Sequence, residues 1–593
     1  MNIEGKIALV TGGANGIGFC AARKLLRNGA KTVALLDLND SGGESAAAEL
    51  NNEFGKDRAI FIACDVSKSE KLKESFKKVV DMYETLDILV NIAGIMDDAD
   101  WEIMVDVNYK GIVHGTILGL HIMGKYKGGN GGVIVNMSSV AGLEGIPIAP
   151  IYGGTQYAIV GFTQSLKHYY EKTGIRMLTI CPGLTTTAMA ARFMSSKEHA
   201  MDLLDEETAA IAMASMQKQP PEHVATAIIQ LIEHGKNGAI YVIENNQPAY
   251  AIEIPSYSAL KVPIPVYMLL HVNRHYVFMY MRFYITHCSI LIFPKHILFY
   301  IISFCNQSFF DFERPFRSVY WKTEYFAEIT IMNNVQDKTV LITGGGSGLG
   351  LIYAERLLQD GAKVVAIIDL DNSSVQVAVS QLEMEFGKGT AKYFPCDVSN
   401  AEQFEATFKK VWDTLGGLDI LINNAGLLND IKWQRTIGVN INGVIQGSLL
   451  ALDYMGKHKG GKGGTIVNIA SIVALKIFSE IPIYCSSKHT ILAFSRCIQE
   501  HFDKTGVRIL VLCPGATATA LLDDVTEKCL DFVDQNTIKT LLESLPIQST
   551  QHVGRGMVQF LLKGENGAVW VIENKEPPYA VEFPPYKKVE VKL

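Results

Sequence analysis

The chain has 593 residues, 48% hydrophobic and 19% charged, which is enough for several folded domains and excludes a disordered protein. Its 54 basic and 61 acidic residues give a formal net charge of −7, which argues against nucleic-acid binding and favours small-molecule ligands. Ten cysteines are too few for a disulfide-stapled secreted fold, and the start lacks a signal-peptide pattern, so we expect a reducing, cytoplasmic setting.

The first predicted elements are a strand, a glycine-rich turn, a helix and a second strand. KIALV runs into TGGANGIG, an amphipathic stretch extends from Ile17 to Arg27, and KTVALLD follows. Glycines at this point let the backbone approach a pyrophosphate at a helix N-terminus, as in dinucleotide-binding βαβ units. Asp37 closes the second strand, where a carboxylate can bind an adenosine ribose and would repel a 2′-phosphate. We therefore expect NAD rather than NADP.

Further strand patterns alternate with helical ones: AIFIACDVS, LDILVNIAG, GGVIVNMSS and IRMLTICPG. The whole segment then recurs, because Thr11 and Thr343, which open the turns TGGANGIG and TGGGSGLG, lie 332 residues apart. The same interval separates Asp37 from Asp369, Asn108 from Asn440, Tyr152 from Tyr484, and Cys181 from Cys513. The sequence therefore predicts two Rossmann-type α/β domains in tandem, each a doubly wound parallel sheet: copy 1 at residues 1–260 and copy 2 at residues 332–593.

Residues 261–331 match neither copy and form an irregular hydrophobic linker of unknown structure. The window from Phe283 to Phe304 has the length of a membrane span, but a proline, a lysine and two histidines disfavour insertion. We therefore favour a linker over a membrane anchor. Because Met332 lies one residue before the position that matches Met1, a fusion of two tandem genes or an error in the gene model also fits.

Oxidation of a secondary alcohol by a dinucleotide needs a base beside the alcohol oxygen. A tyrosine can serve if a neighbouring cation lowers its pKa from about 10. Tyr484 and Lys488 lie four residues apart, on one face of a predicted helix. Four residues after Tyr152, copy 1 has Gln156, and its NNAG motif reads NIAG with Ile92. We therefore expect copy 2 to be catalytic and copy 1 to bind NAD but turn over poorly.

These motifs resemble those of the short-chain dehydrogenase/reductase family, over about residues 1–258 and 333–593. Copy 2 carries TGGGSGLG, DV at Asp397, NNAG, Asn440, Ser471, YxxxK and PG. The stretches NGAVWVIEN and IPIYCSSKHTILAF are similar to the branch that contains NAD-dependent 15-hydroxyprostaglandin dehydrogenases and insect alcohol dehydrogenases.

The resemblance implies roles for the site residues. Tyr484 is the general base, and Lys488 lowers its pKa and holds the nicotinamide ribose. Ser471 orients the alcohol, and Asn440 supports Lys488 through a proton-relay water. The matching residues of copy 1 are Asn108, Ser139 and Tyr152.

The implied cofactor-binding residues of copy 2, besides Lys488, are Gly344, Gly348, Leu349, Gly350, Asp369, Asp397, Val398, Asn424, Ala425, Gly426, Pro514 and Thr519. Those of copy 1 are Gly12, Gly16, Ile17, Gly18, Asp37, Asp65, Val66, Ala93, Gly94 and Thr187, and we expect no metal.

Family members pair through the helices that bear the asparagine and the tyrosine, so the resemblance implies an intrachain pseudo-dimer of the two copies or a homodimer. We expect the substrate to be a secondary alcohol, either a hydroxy-lipid or a small alcohol, or its ketone, selected by the segment after each CPG motif. There, Leu521, Leu522, Leu530 and Phe532 suit a lipophilic pocket and a protein core equally well.

Prostaglandin enzymes carry a glutamine three residues before the tyrosine, where this chain has Ala149 and Ile481, which puts prostaglandin itself in doubt. A non-catalytic NAD-binding scaffold or sensor, and a membrane-tethered dehydrogenase, stay open as alternatives.

Overall fold

The computed structural model describes residues 1–195, 203, 216–262 and 335–591, and these form two α/β units with the predicted parallel sheets. The predicted fold class is thereby confirmed. Residues 263–334, which include most of the predicted linker (261–331), lie outside the described residues, so the window Phe283–Phe304 and the predicted domain limits stay predictions. Within the described ranges, no helix has the length and apolar character needed to cross a membrane.

The strands of copy 1 are β1 (Ile7–Thr11), β2 (Thr32–Asp37), β3 (Ala59–Ala63), β4 (Ile88–Asn91), β5 (Gly132–Met137), β6 (Ile175–Pro182), β7 (Ile240–Ile243), β8 (Tyr250–Ile252) and β9 (Lys261–Val262). Its helices are Gly16–Arg27, Gly43–Phe54, Ser69–Tyr83, Trp101–Val105, Gly111–Met123, Pro150–Leu166, Tyr170–Thr173, Ala188–Ser195 and Pro221–His234. A π-helical turn, Asp106–Lys110, joins two of them.

Copy 2 repeats this series. Its strands are β10 (Thr339–Thr343), β11 (Val364–Asp369), β12 (Ala391–Pro395), β13 (Ile420–Asn423), β14 (Gly464–Ile469), β15 (Val507–Pro514), β16 (Val569–Ile572), β17 (Tyr579–Val581) and β18 (Glu590–Val591). Its helices are Gly348–Gln359, Ser373–Phe386, Ala401–Leu415, Trp433–Ile437, Gly443–Met455, Pro482–Ile498, Phe502–Thr505, Gln535–Ser544 and Thr550–Lys563, and Gly438–Asn442 is the π-helical turn.

The strand order in copy 1 is β3-β2-β1-β4-β5-β6-β7-β8, and copy 2 has the matching order from β12 to β17. The pairs are parallel except for those at the β8 and β17 edges. All five residues of β1 and of β10 are buried, because helices cover both faces of the sheet. The order reverses direction at β1, so the carboxyl ends of β1 and β4 border a crevice, which is where such sheets bind ligands.

The two copies contact each other through the helices Pro150–Leu166 and Pro482–Ile498, called here the tyrosine helices. Each copy also lends a short antiparallel strand to the sheet of the other. Val262 of β9 pairs with Ala580 of β17, and β18 pairs with β8. The first residues of the predicted linker are therefore part of the sheet of copy 2.

Candidate active site

The glycine turns have the backbone geometry that a close ligand approach requires. Gly12 and Gly344 have φ values of +66° and +64°, which favour glycine. A Cβ at Gly18 would overlap the carbonyl oxygen of Gly12, so the turn can fold back onto the helix only with glycine there. The following helix has no side-chain cap at its start in either copy, which leaves its first N–H groups available to an anion.

The acidic residue after the second strand is tied to this turn in both copies. Asp37 accepts hydrogen bonds from the N–H groups of Ala14 and Leu38, at 2.9 and 2.8 Å. Asp369 makes the equivalent bonds to Gly346 and Leu370. The carboxylate therefore lies beside the glycine turn, at the position expected for ribose recognition.

Other predicted cofactor residues surround the same turn. A Cβ at Gly12 would lie 2.9 Å from the Cα of Ala93, and one at Gly344 would lie 2.8 Å from that of Ala425. A Cβ at Gly348 would be 3.5 Å from Thr519 Cγ2, which places the segment after the CPG motif against the turn. A Cβ at Gly16 would lie 3.3 Å from Thr187 Cγ2, and one at Gly350 would overlap the Gly344 carbonyl oxygen. Ile17 and Leu349 lie in the first turn of the following helices, and Gly94 and Gly426 come directly after Ala93 and Ala425. Binding of the cofactor by these residues stays a prediction.

The remaining predicted positions border this crevice less directly. Asp65 and Asp397 accept hydrogen bonds from Ser67 and Ser399, and the next residues, Val66 and Val398, are buried. Pro514 ends β15. Asn424 donates to the carbonyl oxygens of Thr343 and Gly344, at 3.1 and 2.9 Å, and so holds the glycine turn of copy 2. Copy 1 has Ile92 at this position, and an isoleucine side chain cannot make these two hydrogen bonds.

Tyr484, Ser471 and Lys488 converge in copy 2. The Ser471 hydroxyl hydrogen-bonds the Tyr484 phenol, and Lys488 Nζ lies 5.9 Å from the centre of the phenol ring. Lys488 is 3% exposed and donates to the Ile469 carbonyl oxygen at 3.0 Å. The side-chain amide of Asn440 accepts a hydrogen bond from the Leu427 N–H and donates one to the Leu427 carbonyl oxygen. Both ends of the amide are therefore bound to the backbone of Leu427.

Burial controls the protonation of this pair. Burial raises the pKa of the Tyr484 phenol above its ordinary value, and the hydrogen bond from Ser471 offsets only part of that effect. Burial also lowers the pKa of the Lys488 ammonium to about 8. Burial therefore opposes the lowering of the Tyr484 pKa that we expect from the Lys488 charge. The sequence argument counted that charge and omitted desolvation, and the lowering by Lys488 stays a prediction.

Copy 1 keeps the tyrosine and serine but not the cation. Burial raises the pKa of Tyr152 to about 12, while a hydrogen bond with Ser139 opposes the shift. Gln156 is 5% exposed, and its side-chain amide donates to Thr155 Oγ1 at 3.3 Å. Asn108 binds both backbone groups of Ile95, as Asn440 binds Leu427. The two sites thus share one scaffold, and copy 1 lacks the buried charge that Lys488 supplies in copy 2.

Comparison with known proteins agrees with this geometry. The family model described as short chain dehydrogenase matches residues 6–198 and 338–530. The chain belongs to the short chain dehydrogenase family.

Individual dehydrogenases are similar to less than half of the chain. Human 15-hydroxyprostaglandin dehydrogenase [NAD(+)] is 38% identical over 259 residues, which cover 42% of this chain and 94% of that protein. Alcohol dehydrogenase 1 of Ceratitis cosyra is 34% identical over 244 residues, with coverages of 41% and 93%. The crystal structure of levodione reductase is 25% identical, with a TM-score of 0.36 and coverages of 40% and 97%.

The structure of this dehydrogenase also reveals a residue that the sequence reasoning missed. Asp430 is fully buried and accepts hydrogen bonds from the N–H groups of Ile483 and Tyr484, at 2.8 and 2.9 Å. It caps the tyrosine helix from outside the helix, so it holds the backbone of Tyr484 in place. Asp98 does the same in copy 1, and the 332-residue interval between the two aspartates was the available signal.

Three of the four apolar residues considered after the CPG motif of copy 2 pack against the hydrophobic core. Phe532 is 1% exposed and packs against Tyr126 and Tyr169 of copy 1, so it belongs to the protein interior rather than to a substrate pocket. Leu521 and Leu530 are half-buried against the same core.

Asp430→Asn should change how stability depends on pH. Burial raises the pKa of Asp430 to about 7, so the folded state binds more protons than the unfolded state between about pH 4 and 7. Stability of the wild type should therefore fall as pH rises through this range, and a neutral asparagine should remove that fall. The melting temperature of the variant relative to wild type should rise by about 5 °C between pH 5 and pH 8.

Asp98→Asn is the matched variant in copy 1, since burial raises the pKa of Asp98 to about 7 as well. Asp413→Asn, on an exposed helix face, is the control and should show no such trend. A difference in melting temperature that stays constant with pH would contradict the assignment.

Proposed function

We propose that this chain is an NAD-dependent oxidoreductase that interconverts a secondary alcohol and its ketone, with the chemistry in copy 2. The observation that carries the proposal is the convergence of Tyr484, Ser471 and the buried Lys488 beside the glycine turn. The relatives' printed names, which include NAD(+) and alcohol dehydrogenase, support the cofactor and the reaction class.

Bound NAD supplies the acceptor for the hydride that leaves the carbinol carbon. Tyr484 Oη takes the hydroxyl proton of the alcohol, and Ser471 Oγ holds the alcohol oxygen. Because burial favours the neutral phenol, the charge of Lys488 is needed to offset the cost of forming phenolate. In the reverse direction the protonated phenol donates its proton to the ketone oxygen.

Purified full-length protein should form NADH with NAD and members of a panel of secondary alcohols, hydroxy fatty acids and prostaglandins. We expect a lipophilic secondary alcohol rather than prostaglandin, because Ala149 and Ile481, both buried, stand where the prostaglandin enzymes carry glutamine. Absence of NADH formation across the panel, with bound NAD demonstrated, would favour a scaffold or sensor.

We infer that Gln156 explains why copy 1 binds NAD with little turnover. Lys488→Gln should lower kcat of the full chain about a hundredfold, because the lost charge accounts for roughly 3 kcal/mol of phenolate stabilisation. Adding Gln156→Lys in that background should restore part of the rate. Steady-state rates with the best alcohol of the panel measure both effects.

The control for this exchange is Lys410→Gln, a charge loss on an exposed helix face that should leave kcat unchanged. If Lys488→Gln kept half of the activity or more, the chemistry would not lie in copy 2. If Gln156→Lys had no effect in the Lys488→Gln background, a different residue would be responsible for the low activity of copy 1.

NAD binding should depend on the two ribose-facing carboxylates. Asp369→Asn should weaken NAD about tenfold at the site of copy 2 and reduce its discrimination against NADP, because the repulsion of a 2′-phosphate is lost. Asp37→Asn should do the same at the site of copy 1. Titration calorimetry should give two NAD per wild-type chain; unchanged affinity in both variants would count against this cofactor site.

We also propose that the two copies form an intrachain pseudo-dimer rather than pairing with like copies of other chains. The hydroxyl groups of Tyr109 and Ser486 are hydrogen-bonded in the buried interface, and the residues at the reciprocal positions are Ile441 and Gly154. Such a hydrogen bond forms only between unlike copies.

A second contact between the two copies, that of Gly145 with Cys497, also favours pairing within one chain. A Cβ at Gly145 of copy 1 would lie 2.5 Å from Cys497 Sγ of copy 2. Copy 2 has Ile477 at the position of Gly145, so pairing two copies of this domain would force an isoleucine side chain against Cys497.

Gly145→Ile should therefore lower the melting temperature by several degrees, from about 1–3 kcal/mol of overpacking. Cys497→Ala in the same chain should recover part of the loss, while Cys497→Ala alone is the control. Light scattering should give the mass of one chain for the wild type. A mass of two chains, or no recovery by Cys497→Ala, would contradict the intrachain arrangement.

A further inference from the structure

A segment of copy 2, between the CPG motif and the helix Gln535–Ser544, packs against copy 1. This segment, residues 525–534, is called here the docking loop. Its Phe532 is 1% exposed, and its ring centre lies 4.9 Å from that of Tyr169 and 6.2 Å from that of Tyr126, both edge-on. Such edge-on aromatic pairs stabilise a contact beyond the area that they bury.

Charge complementarity adds to this contact. Asp531 Oδ2 lies 2.8 Å from Lys127 Nζ, and its Oδ1 lies 3.3 Å from His121 Nε2. Burial alone would raise the pKa of Asp531, but the hydrogen bonds and charges of Lys127 and His121 hold it below its ordinary value. We call His121, Tyr126, Lys127 and Tyr169 of copy 1 the dock.

Three of the four dock residues are specific to copy 1, and only Lys127 has the same residue, Lys459, at the matching position of copy 2. At the positions that match His121, Tyr126 and Tyr169, copy 2 has Asp453, His458 and His501. A second copy 2 in place of copy 1 would therefore present the Asp453 carboxylate to Asp531 and would offer no tyrosine rings to Phe532. Like charges at this distance repel, so copy 1 fits the docking loop and another copy 2 does not.

The docking loop is connected to the catalytic tyrosine. The carbonyl oxygen of Lys528 accepts a hydrogen bond from the Asp430 N–H at 2.8 Å. The Asp430 carboxylate in turn accepts from the Tyr484 N–H at 2.9 Å. One continuous path of contacts thus runs from the dock through the loop and Asp430 to Tyr484.

We propose that copy 1 serves as a positioning domain, whose dock holds the docking loop of copy 2 against Asp430 and so shapes the substrate side of the site in copy 2. This gives the copy with the impaired site a function in catalysis by the other copy. The catalytic consequence rests on the proposed function, but the docking itself does not.

The docking is tested in the full chain by hydrogen–deuterium exchange. His121→Asp and Tyr169→His each place the copy 2 residue in the dock. Both should speed amide exchange in residues 525–534 about tenfold, because the loop then opens locally. Peptides from β15 should keep their protection, and Lys77→Asp, on an exposed helix of copy 1, should change neither region.

Charge reversal provides a rescue. Lys127→Asp should speed exchange in the docking loop, and Lys127→Asp together with Asp531→Lys should restore protection. Unchanged exchange of the loop in His121→Asp, Tyr169→His and Lys127→Asp would overturn the docking, whether or not the protein is active.

The catalytic role is tested by kinetics on the same variants. Loosening the loop should raise the KM for the alcohol about tenfold, with a smaller change in kcat and no change in NAD affinity. A loosened loop with unchanged KM would overturn the positioning role. Absence of activity in the wild type would instead contradict the proposed function, while the exchange experiment would still decide the docking.

Discussion

The packing of the two tyrosine helices against each other is the contact on which the rest of the molecule depends. Fifteen of the seventeen residues of each helix are buried, because each helix is enclosed by its own sheet and by the opposite helix. Small residues such as Gly154, Gly161 and Ser486 allow the close approach. Tyr152 and Tyr484 are each carried on a helix that the other copy covers, so the geometry of either site depends on both copies.

The buried charge of Lys488 is present in the site of copy 2 and absent from that of copy 1. An unpaired ammonium costs free energy when it leaves water, and Lys488 bears this cost in copy 2, as its lowered pKa reflects. Gln156 removes that cost from copy 1 while filling similar space. Under the proposed division of labour, the change that impairs the chemistry of copy 1 would also stabilise its fold.

Several features followed from local sequence rules. The glycine turn, the strand ends at Asp37 and Asp369, and the alternation of strands and helices each depend on residues close together in the chain. The repeat interval of 332 residues then related the candidate site positions of the two copies. Asp430 escaped this reasoning because its partners, the N–H groups of Ile483 and Tyr484, lie more than fifty residues away and carry no sequence signal of their own.

The sequence by itself determined the duplicated α/β fold, the crevice residues and the loss of a cation at Gln156, because periodicity, glycine geometry and side-chain charge are properties of single residues and short spacings. Only the tertiary structure decided the direction of the Tyr484 pKa, the seating of Phe532 on Tyr169, and the exchange of terminal strands. Those depend on which surfaces exclude water from one another, and desolvation is set by the whole folded chain rather than by neighbours in sequence.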